Sequence, residues 1–272
     1  MKYFVEEDST LSSFLEKKFT KKQVKQYLKN REVFVNGRIQ MHYQFLVKAK
    51  DEITLVKRLE NDILLLYEDR DLLVVDKPYH MLTVADTKNR ENTLYAQLSA
   101  YVKRKNKKEK IYIVHRLDYE TAGIMVFAKS EEIKEKLQKN WQEVLREYQA
   151  LVYGKVKNKD TLQFHLKENR AMRVYVTKKD FYTKEAITEY TRIGFKKDIS
   201  FVNITIKTGR KHQIRVSFKE IGSPILGDRK YGRKDAYKHL YLYASKLVFK
   251  HPKTGKKLVF IKPIPDDFSA LM

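Results

Sequence analysis

Residues 111–129, IYIVHRLDYETAGIMVFAK, place a polar loop between two apolar runs. The first run ends at Val114 and the second covers 124–128, and both have the length and composition of short buried strands. A carboxylate on a loop between two buried strands is rigidly aimed, as a catalytic group must be. Asp118 is therefore a candidate catalytic residue, although the same pattern also fits a turn in which Asp118 only caps Thr121.

Short β-type runs recur on both sides of this loop, at 63–67, 72–75, 148–153, 201–206, 212–218 and 257–262. Two helices are predicted among them, one over 92–103 and one over 130–144 with Ser130 as its N-cap. Many strands and few helices favour an α+β fold with a mixed, mainly antiparallel sheet over a doubly wound parallel one.

A small unit precedes these strands, over residues 1–60. TKKQ at 20–23 is typical of a capping box that opens a helix. NG at 36–37 predicts a hairpin, because a type I′ turn needs positive φ at both central positions. An alternating strand at 53–56 closes the unit, and no long or Gly-rich linker follows it. We predict two closely joined domains, 1–60 and 61–272.

The chain has 272 residues and a formal net charge of +23, from 57 Lys and Arg against 34 Asp and Glu. Lys and Arg neutralise phosphates and release counterions, so the surplus favours a nucleic acid as partner. An acidic membrane surface would require a basic amphipathic helix with an apolar face, and the sequence shows no strong one. A hydrophobic fraction of 42% is enough for a folded core.

Several function classes are excluded or disfavoured by what the sequence lacks. Without cysteine there is no disulfide scaffold, thiolate metal site or cysteine nucleophile. The absence of HExxH, GxSxG, GxxxxGKS/T and GxGxxG motifs disfavours metal, ATP and NAD chemistry. The apolar runs are far shorter than the ~18–20 residues of a membrane span, and no charged-then-apolar leader opens the chain. We expect a cytoplasmic protein that uses no metal and no cofactor.

Basic residues cluster at two places. One cluster lies on the helices and hairpin of the small unit and includes Lys21, Lys22, Lys25 and Arg38. The other is KRKNKKEK at 103–110 and includes Lys103, Arg104 and Lys105. Each cluster could be a solvated face, but we favour contact with RNA phosphates, and we expect the second to border the functional cleft.

The loop of Asp118 also carries a family resemblance: HRLDYETAG at 115–123 resembles the HRLDxxTSG motif of the RluA/RluD family of pseudouridine synthases. Six further segments resemble family motifs in the family's order: ILLLYEDRDLLVVDKP at 63–78, REYQALVYG at 146–154, AITEY at 186–190, GRKHQIRV at 209–216, GSPILGDRKYG at 222–232 and LVFKHPKTG at 247–255. The small unit resembles the αL RNA-binding domain of a ribosomal small-subunit protein and of tyrosyl-tRNA synthetases. The resemblance implies the α+β pseudouridine synthase fold, with a central active-site cleft behind this RNA-binding domain.

The resemblance also assigns roles. It implies that Asp118 is the nucleophile whose attack on uridine lets the N1–C1′ bond break, so that the base is re-attached through C5. It implies that Arg215 pairs with Asp118 and keeps it ionised, that Tyr148 stacks on the target base and that Ile214 lines the base pocket. Without the resemblance, Tyr148 fits a strand core with a hydrogen-bonded hydroxyl, and Arg215 fits a phosphate contact. Whether Asp118 attacks the base or the ribose carbon stays open.

Three further residues belong to the same motifs. Arg116 falls on the arginine that enters the base stack when the target is flipped, a role that offsets the cost of extrusion. His115 and His212 are expected to contact the substrate, although His212 also fits a phosphate contact. The sequence departs from the family at Ala122, Lys211 and Ser217, and we expect the last two to change polar groups beside the cleft.

These inferences predict a monomeric uridine-to-pseudouridine isomerase that acts on structured RNA, with ribosomal RNA favoured over transfer RNA and without an obligate protein partner. The alternative is a catalytically inactive RNA-binding or ribosome-assembly protein on the same fold. The remaining hypothesis is a protein that binds DNA and catalyses no reaction.

Overall fold

A computed structural model describes residues 2–85 and 92–272. Its first part contains β1 (Lys2–Phe4), β2 (Ser9–Thr10), α1 (Leu11–Glu16), α2 (Lys21–Lys29), β3 (Val33–Val35), β4 (Arg38–Ile39), β5 (Leu46–Val47) and β6 (Glu52–Leu55). Four of these strands form an antiparallel sheet in the order β1-β6-β3-β4, and β2 pairs with β5. The two helices pack on the sheet through a separate apolar cluster that includes Leu11, Leu15, Val24 and Ile53.

The local signals in this part are confirmed. The Thr20 hydroxyl accepts the N–H of Gln23, and the Gln23 side chain accepts the N–H of Thr20, so the capping box is complete. Asn36 and Gly37 have φ of 50° and 79°, as the turn between β3 and β4 requires. The likeness of this part to an αL RNA-binding domain stays a prediction, as does the domain boundary at residue 60.

The chain passes from this part into a second sheet without a free linker. This sheet has twelve strands: β7 (Lys57–Arg58), β8 (Leu64–Glu68), β9 (Leu72–Lys77), β10 (Tyr112–Ile113), β11 (Ala122–Ala128), β12 (Leu145–Tyr153), β13 (Lys159–Glu168), β14 (Val174–Thr177), β15 (Lys184–Lys196), β16 (Ile199–Ile206), β17 (Leu242–Lys250) and β18 (Lys257–Ile261). The order is β14-β13-β15-β16-β12-β17-β11-β9-β8-β7, with β10 on β11 and β18 on β17. Within the described ranges every pair is antiparallel except β11 with β17, so the predicted mixed, mainly antiparallel sheet is confirmed.

Helices cover both faces of the centre of this sheet. They are α3 (Leu94–Lys105), α4 (Glu131–Lys139), α5 (Gln213–Glu220) and the short α6 (Asp266–Ser269). Along β11, Met125 and Phe127 point to the core that α3 and α5 cover, whereas Ile124 and Val126 point to the core under α4. This alternation follows from the two-residue period of a strand. No helix in the described part of the chain is long and apolar enough to cross a membrane.

Two predicted helices are found with shifted bounds. Ser130 caps α4 as expected, but α4 ends at Lys139, and Trp141–Glu143 form a separate 3-10 turn. Thr93 caps α3, which therefore begins two residues later than predicted and continues to Lys105.

One predicted strand is wrong: the run at 212–218 lies mainly in helix α5. Ile214, Val216 and Phe218 alternate as in a strand, but the six residues from Gln213 to Phe218 are all buried. A segment that is buried all round has no polar stripe from which its helical period could be read. The sheet also contains β13, β14 and β15, which the sequence reading did not include among its strands.

The parallel pairing of β11 with β17 depends on a glycine. Gly123 has φ of 126°, and a Cβ at this position would lie 2.4 Å from the carbonyl oxygen of Ala244 on β17. A side chain there would push the two strands apart. Gly123 therefore allows β17 to lie directly against the start of β11, where the loop of Asp118 ends.

Candidate active site

A cleft opens where the loop before β11, the middle of β12 and the start of α5 meet. Six of the seven residues predicted to be catalytic or to bind the target nucleotide line it: Arg116, Asp118, Tyr148, His212, Ile214 and Arg215. They come from three segments that are distant in sequence and adjacent in the fold. The resemblance predicted this convergence, which composition and periodicity alone did not reveal.

Asp118 presents a free carboxylate to the cleft. The turn at this loop is closed by main-chain atoms, since the N–H of Thr121 donates to the carbonyl of Asp118 at 3.1 Å. Thr83 fixes the preceding residue, with its hydroxyl 2.8 Å from the carbonyl of Leu117. The Asp118 side chain keeps 30% of its surface exposed, and its carboxylate makes no hydrogen bond with a described residue. The side-chain cap of Thr121, the alternative role for Asp118, is not formed.

Burial raises the pKa of the Asp118 carboxyl, and the positive charges of Arg215, Lys77 and Arg116 act in the opposite direction. An unperturbed aspartate has a pKa of ~3.9. The structure instead shows a carboxylate whose charge is disfavoured by its surroundings and supported by three cations.

Arg215 does not make the predicted pair with Asp118. Its Nε lies 2.8 Å from Oδ2 of Asp228 and its Nη2 2.6 Å from Oδ1, which is a bidentate pair. The same Nη2 lies 2.6 Å from a carboxylate oxygen of Glu120. Because these two acids occupy the donor edge of the guanidinium, Arg215 acts on Asp118 through its charge and not through a direct contact.

Asp228 is fully buried and accepts two further hydrogen bonds, from the N–H groups of Lys230 and Tyr231 at 3.0 and 2.9 Å. Asp228 and Glu120 were not predicted as site residues. The available signal was their position inside the motif segments 222–232 and 115–123.

A chain of hydrogen bonds orients His212. The Tyr231 hydroxyl accepts the N–H of Val174 at 3.1 Å and lies 2.7 Å from Nδ1 of His212. Burial, with the nearby charges of Arg215, Lys230 and Lys211, lowers the pKa of His212 to about 3. A neutral ring that accepts at Nδ1 carries its hydrogen on Nε2, which lies 3.9 Å from Oδ2 of Asp118. The side chain thus directs a donor towards the carboxylate.

The remaining walls suit a flat, partly apolar ligand. Tyr148 and Ile214 are 9% and 6% exposed and line the cleft. Burial raises the pKa of the Tyr148 hydroxyl to about 12, so the phenol is neutral at physiological pH. Arg116 is exposed and lines the cleft, where it offers a cation to the ligand.

Lys77 lies close enough to Asp118 for its charge to act on that carboxylate, and it was not predicted as a site residue. Its side chain is fully buried, and Nζ donates to the carbonyl oxygens of Pro78 and Met81 at 3.0 and 2.8 Å. Burial lowers the pKa of Lys77 to about 7, against the attraction of Asp118 and Asp76. The D-K-P tripeptide at 76–78 was the signal for it in the sequence.

His115 does not line the cleft, and its predicted contact with the substrate stays a prediction. Its Nε2 accepts the N–H of Val126 at 3.1 Å, and its ring lies 4.7 Å from the ring of Trp141. Burial and the charge of Arg146 lower the pKa of His115 to about 3, so the ring is neutral. Trp141 packs on the core under α4, the opposite face of the sheet from Ile214. His115 therefore stabilises the fold.

The basic segment 103–110 does not border the cleft. Arg104 and Lys105 form ion pairs with Glu60 at 2.9 Å and Glu68 at 2.7 Å. Glu109 lies 3.6 Å from Lys129, which follows the end of β11 that is distant from Asp118. Seven strand residues separate the two ends by about 20 Å. Lys103, Arg104 and Lys105 therefore lie apart from the cleft.

The other basic residues predicted to bind RNA lie on the first part of the chain. All four are exposed, and none forms an ion pair with a residue that the structure describes: Lys21, Lys22, Lys25 and Arg38. Of the two departures expected beside the cleft, Ser217 is fully buried and Lys211 forms an ion pair with Glu168.

One group of side chains in the described ranges is compact enough to hold a metal ion: Asp69, Asp71 and His251. These groups already have partners, because His251 lies 3.0 Å from Asp69 and Lys253 lies 2.7 Å from Asp71. The group follows β8 at the sheet edge and does not line the cleft.

Comparison with known proteins agrees with this geometry. The sequence model of the RNA pseudouridylate synthase family matches residues 71–220. The chain is 33% identical to an RNA pseudouridine synthase of Aquifex aeolicus, over 97% of this chain and 93% of the relative. It is 27% identical to the ribosomal large subunit pseudouridine synthase D of Vibrio parahaemolyticus, over 93% of this chain and 86% of the relative.

The fold has a solved counterpart in the human RNA pseudouridylate synthase domain containing 4. The two structures superpose with a TM-score of 0.63 and 22% sequence identity, over 75% of this chain and 90% of the human one. The predicted fold and enzyme class are thus confirmed. The chain belongs to the RNA pseudouridylate synthase family and is an RNA pseudouridine synthase of the RluA/RluD type.

Proposed function

We propose that this enzyme modifies uridine in ribosomal RNA and that Asp118 is its nucleophile. The observation that carries the proposal is the free carboxylate of Asp118, which faces a cleft walled by Tyr148 and Ile214. An ionised oxygen without hydrogen-bond donors keeps its lone pairs available for attack. The positive charges of Arg215 and Arg116 support the charged form at neutral pH, and Lys77 adds to them in its protonated state.

In the proposed reaction a flipped uridine enters the cleft with its ring against Tyr148 and Ile214. Asp118 attacks either the base or the ribose carbon, and both routes break the N1–C1′ bond. The base turns, a C5–C1′ bond forms, C5 loses its proton and N1 gains one, so the product is an isomer of the substrate. Arg116 at the cleft mouth takes the place of the extruded base in the stack and offsets the cost of flipping.

Arg215 has an electrostatic role in this scheme. Its buried charge lowers the cost of ionising Asp118, while Asp228 and Glu120 fix the guanidinium in place. His212 contributes a neutral donor 3.9 Å from the same carboxylate. Arg215 and His212 thus act on Asp118 without forming a hydrogen bond to its carboxylate.

Ribosomal RNA is favoured over transfer RNA as the substrate. The Vibrio parahaemolyticus relative is named for the large ribosomal subunit, and a net charge of +23 suits a large structured RNA. In this proposal Lys21, Lys22, Lys25 and Arg38 form an RNA-binding surface of an N-terminal domain. The enzyme acts as a monomer in the cytoplasm, without an obligate protein partner.

The test maps pseudouridine across total RNA in cells that lack the protein, and again after wild type or Asp118→Asn is supplied. A ribosomal site that only wild type restores supports the substrate and the nucleophile together. Tritium release from RNA containing 5-tritiated uridine, with purified protein, measures turnover directly. Binding without tritium release from any RNA fraction would instead favour the inactive RNA-binding protein.

A further inference from the structure

The turn between β14 and β15 displays two aromatic rings to solvent. Phe181 is 95% and Tyr182 74% exposed, more than any other large apolar side chain in the described ranges. The ring centroids are 5.4 Å apart at an interplanar angle of 88°. Exposed rings of this size in a soluble protein mark an interaction surface. We call residues 178–184 the aromatic turn.

The aromatic turn has a defined backbone. A side-chain oxygen of Asp180 accepts the N–H of Tyr182 at 2.7 Å, and the Thr183 hydroxyl donates to the carbonyl of Asp180 at 2.8 Å. Lys167 pairs with the other oxygen of Asp180 at 2.8 Å and lies 5.4 Å from the centre of the Tyr182 ring. The rings are therefore held outwards by polar bonds and not by packing.

The charge around the rings is positive and available. Four basic side chains of this region form no ion pair with any residue in 2–85 or 92–272: Arg170, Lys178, Lys179 and Lys184. Two neighbouring acids are already paired, Glu168 with Lys211 and Asp180 with Lys167. Aromatic faces among unpaired cations are the combination that binds single-stranded nucleic acid, because bases stack on the rings and phosphates meet the cations.

The aromatic turn is also connected to the cleft. Strand β14, which leads into it, begins at Val174, and the Val174 N–H donates to the Tyr231 hydroxyl that orients His212. The seven residues from Val174 to Phe181 span at most about 23 Å. A nucleotide chain that leaves the cleft can thus reach the rings within a few nucleotides.

We propose that Phe181 and Tyr182 form a stacking platform for unpaired nucleotides that flank the target uridine. The platform rests on the proposed function for the identity of its ligand as substrate RNA. Stacking needs bases outside a helix, since A-form RNA keeps its bases paired and its deep groove closed to side chains. The enzyme would therefore select uridines in loops, or beside helix ends, over uridines inside long duplexes.

The test measures binding in an Asp118→Asn background, so that it does not depend on turnover. Fluorescence anisotropy with a labelled, unstructured 20-nucleotide oligoribonucleotide compares Phe181→Ala/Tyr182→Ala with the parent. We expect the double variant to lose about tenfold or more in affinity. The matched control is Phe195→Ala at the other end of β15, an exposed ring with Arg192 and Lys155 over it, and we expect less than a twofold change. For a perfect duplex of the same sequence we expect the double variant to bind as the parent does.

A second readout uses 5-iodouridine in the same oligomer, which we expect to crosslink to residues 180–184 on irradiation. Unchanged affinity for the single strand, or an equal loss for the Phe195 control, would overturn the platform. It would also be overturned if the double variant instead lost a self-association seen by sedimentation, because the rings would then cover a second copy. Wild type could release no tritium while the double variant still lost affinity for the single strand. That result would contradict the proposed function and would still support an RNA-binding surface at the aromatic turn.

Discussion

Two aspartates, Asp228 and Asp118, interact with the charge of Arg215, and their surroundings are opposite. Asp228, on the loop before β17, is fully buried and accepts hydrogen bonds from Arg215 and from two main-chain N–H groups. Asp118, on the loop before β11, is 30% exposed and accepts none from the described residues. The same residue type is thus a fixed structural anion in one loop and a carboxylate without hydrogen-bond donors in the other.

The difference shows how the site divides its tasks. Asp228, and not Asp118, accepts the hydrogen bonds of Arg215, and this pair holds the guanidinium in place. The charge of Arg215 then acts on Asp118 without a hydrogen bond between the two side chains. A carboxylate that accepted the same bonds would be better stabilised and less nucleophilic.

The largest expected effect is on turnover when the free carboxylate is neutralised. Asp118→Asn should lower the rate of tritium release by about 10³-fold or more, because it removes the proposed nucleophile. RNA affinity by anisotropy should remain within a few-fold. The melting temperature at pH 8 should not fall, because the raised pKa of Asp118 means that its charge costs stability at that pH. A near-normal rate would contradict the nucleophile assignment.

The largest effect on stability should come from the anchored carboxylate. Asp228→Asn leaves Arg215 with a weaker partner in a buried site, and breaking a buried pair costs about 3–5 kcal/mol. We expect a fall in melting temperature of roughly 10 °C, measured by differential scanning calorimetry. Glu120→Gln is the matched control, since Glu120 is 23% exposed and contacts only one nitrogen of Arg215, and it should lower the melting temperature less. Equal melting of Asp228→Asn and wild type would remove the contrast between the loops.

The pH dependence of kcat sharpens the comparison. The proposed mechanism requires ionised Asp118, whose pKa is raised, so the acid limb should lie above the ordinary ~3.9 of an aspartate. Below that pKa the rate should fall about tenfold per pH unit, because the protonated fraction grows. Arg116→Gln removes a charge that lowers this pKa and should move the limb to higher pH. An acid limb at or below pH ~3.9 would show that the cations lower the pKa of Asp118 by more than burial raises it.

The smallest expected effect concerns the Tyr231 hydroxyl, which connects the loop of Asp228 to Val174 and His212. Tyr231→Phe removes the bonds to Val174 and His212, each contributing roughly 1 kcal/mol. Tritium release should fall about tenfold or less, and the melting temperature by a few degrees. Tyr175→Phe, next to Val174 on β14, removes an exposed hydroxyl. It should change neither the rate of tritium release nor the melting temperature. A full wild-type rate in Tyr231→Phe would show that the orientation of His212 is not needed.

The sequence was sufficient to predict which segments meet, but not how their charges pair. Asp118, Tyr148 and Arg215 were assigned to one cleft because each lies in a motif of the same family, and the structure brings them together. The partner of Arg215 was wrong, since an ion pair between distant segments depends on distances of a few ångströms that no pattern encodes. His115, three residues before Asp118, does not share the cleft, because the chain turns its side chain to the other face of the sheet.

Local structure was predicted where short-range signals dominate. The capping box at Thr20 and the turn at 36–37 depend on neighbours in sequence, and both formed. Helix α5 was not predicted, since its burial comes from β14 and β15 and leaves no amphipathic stripe. The same two strands carry the aromatic turn, whose exposed rings are evident only from the tertiary structure.

The position of β17 has a consequence for synthesis of the protein. Strand β17 lies between β12, which carries Tyr148, and β11, which follows the loop of Asp118. These two strands are therefore joined only through residues translated about a hundred positions later. Long-range pairing of this kind forms late in folding. A nascent chain that has not yet added residue 250 lacks the strand that joins β12 to β11, so Tyr148 and the loop of Asp118 are not yet held together in it.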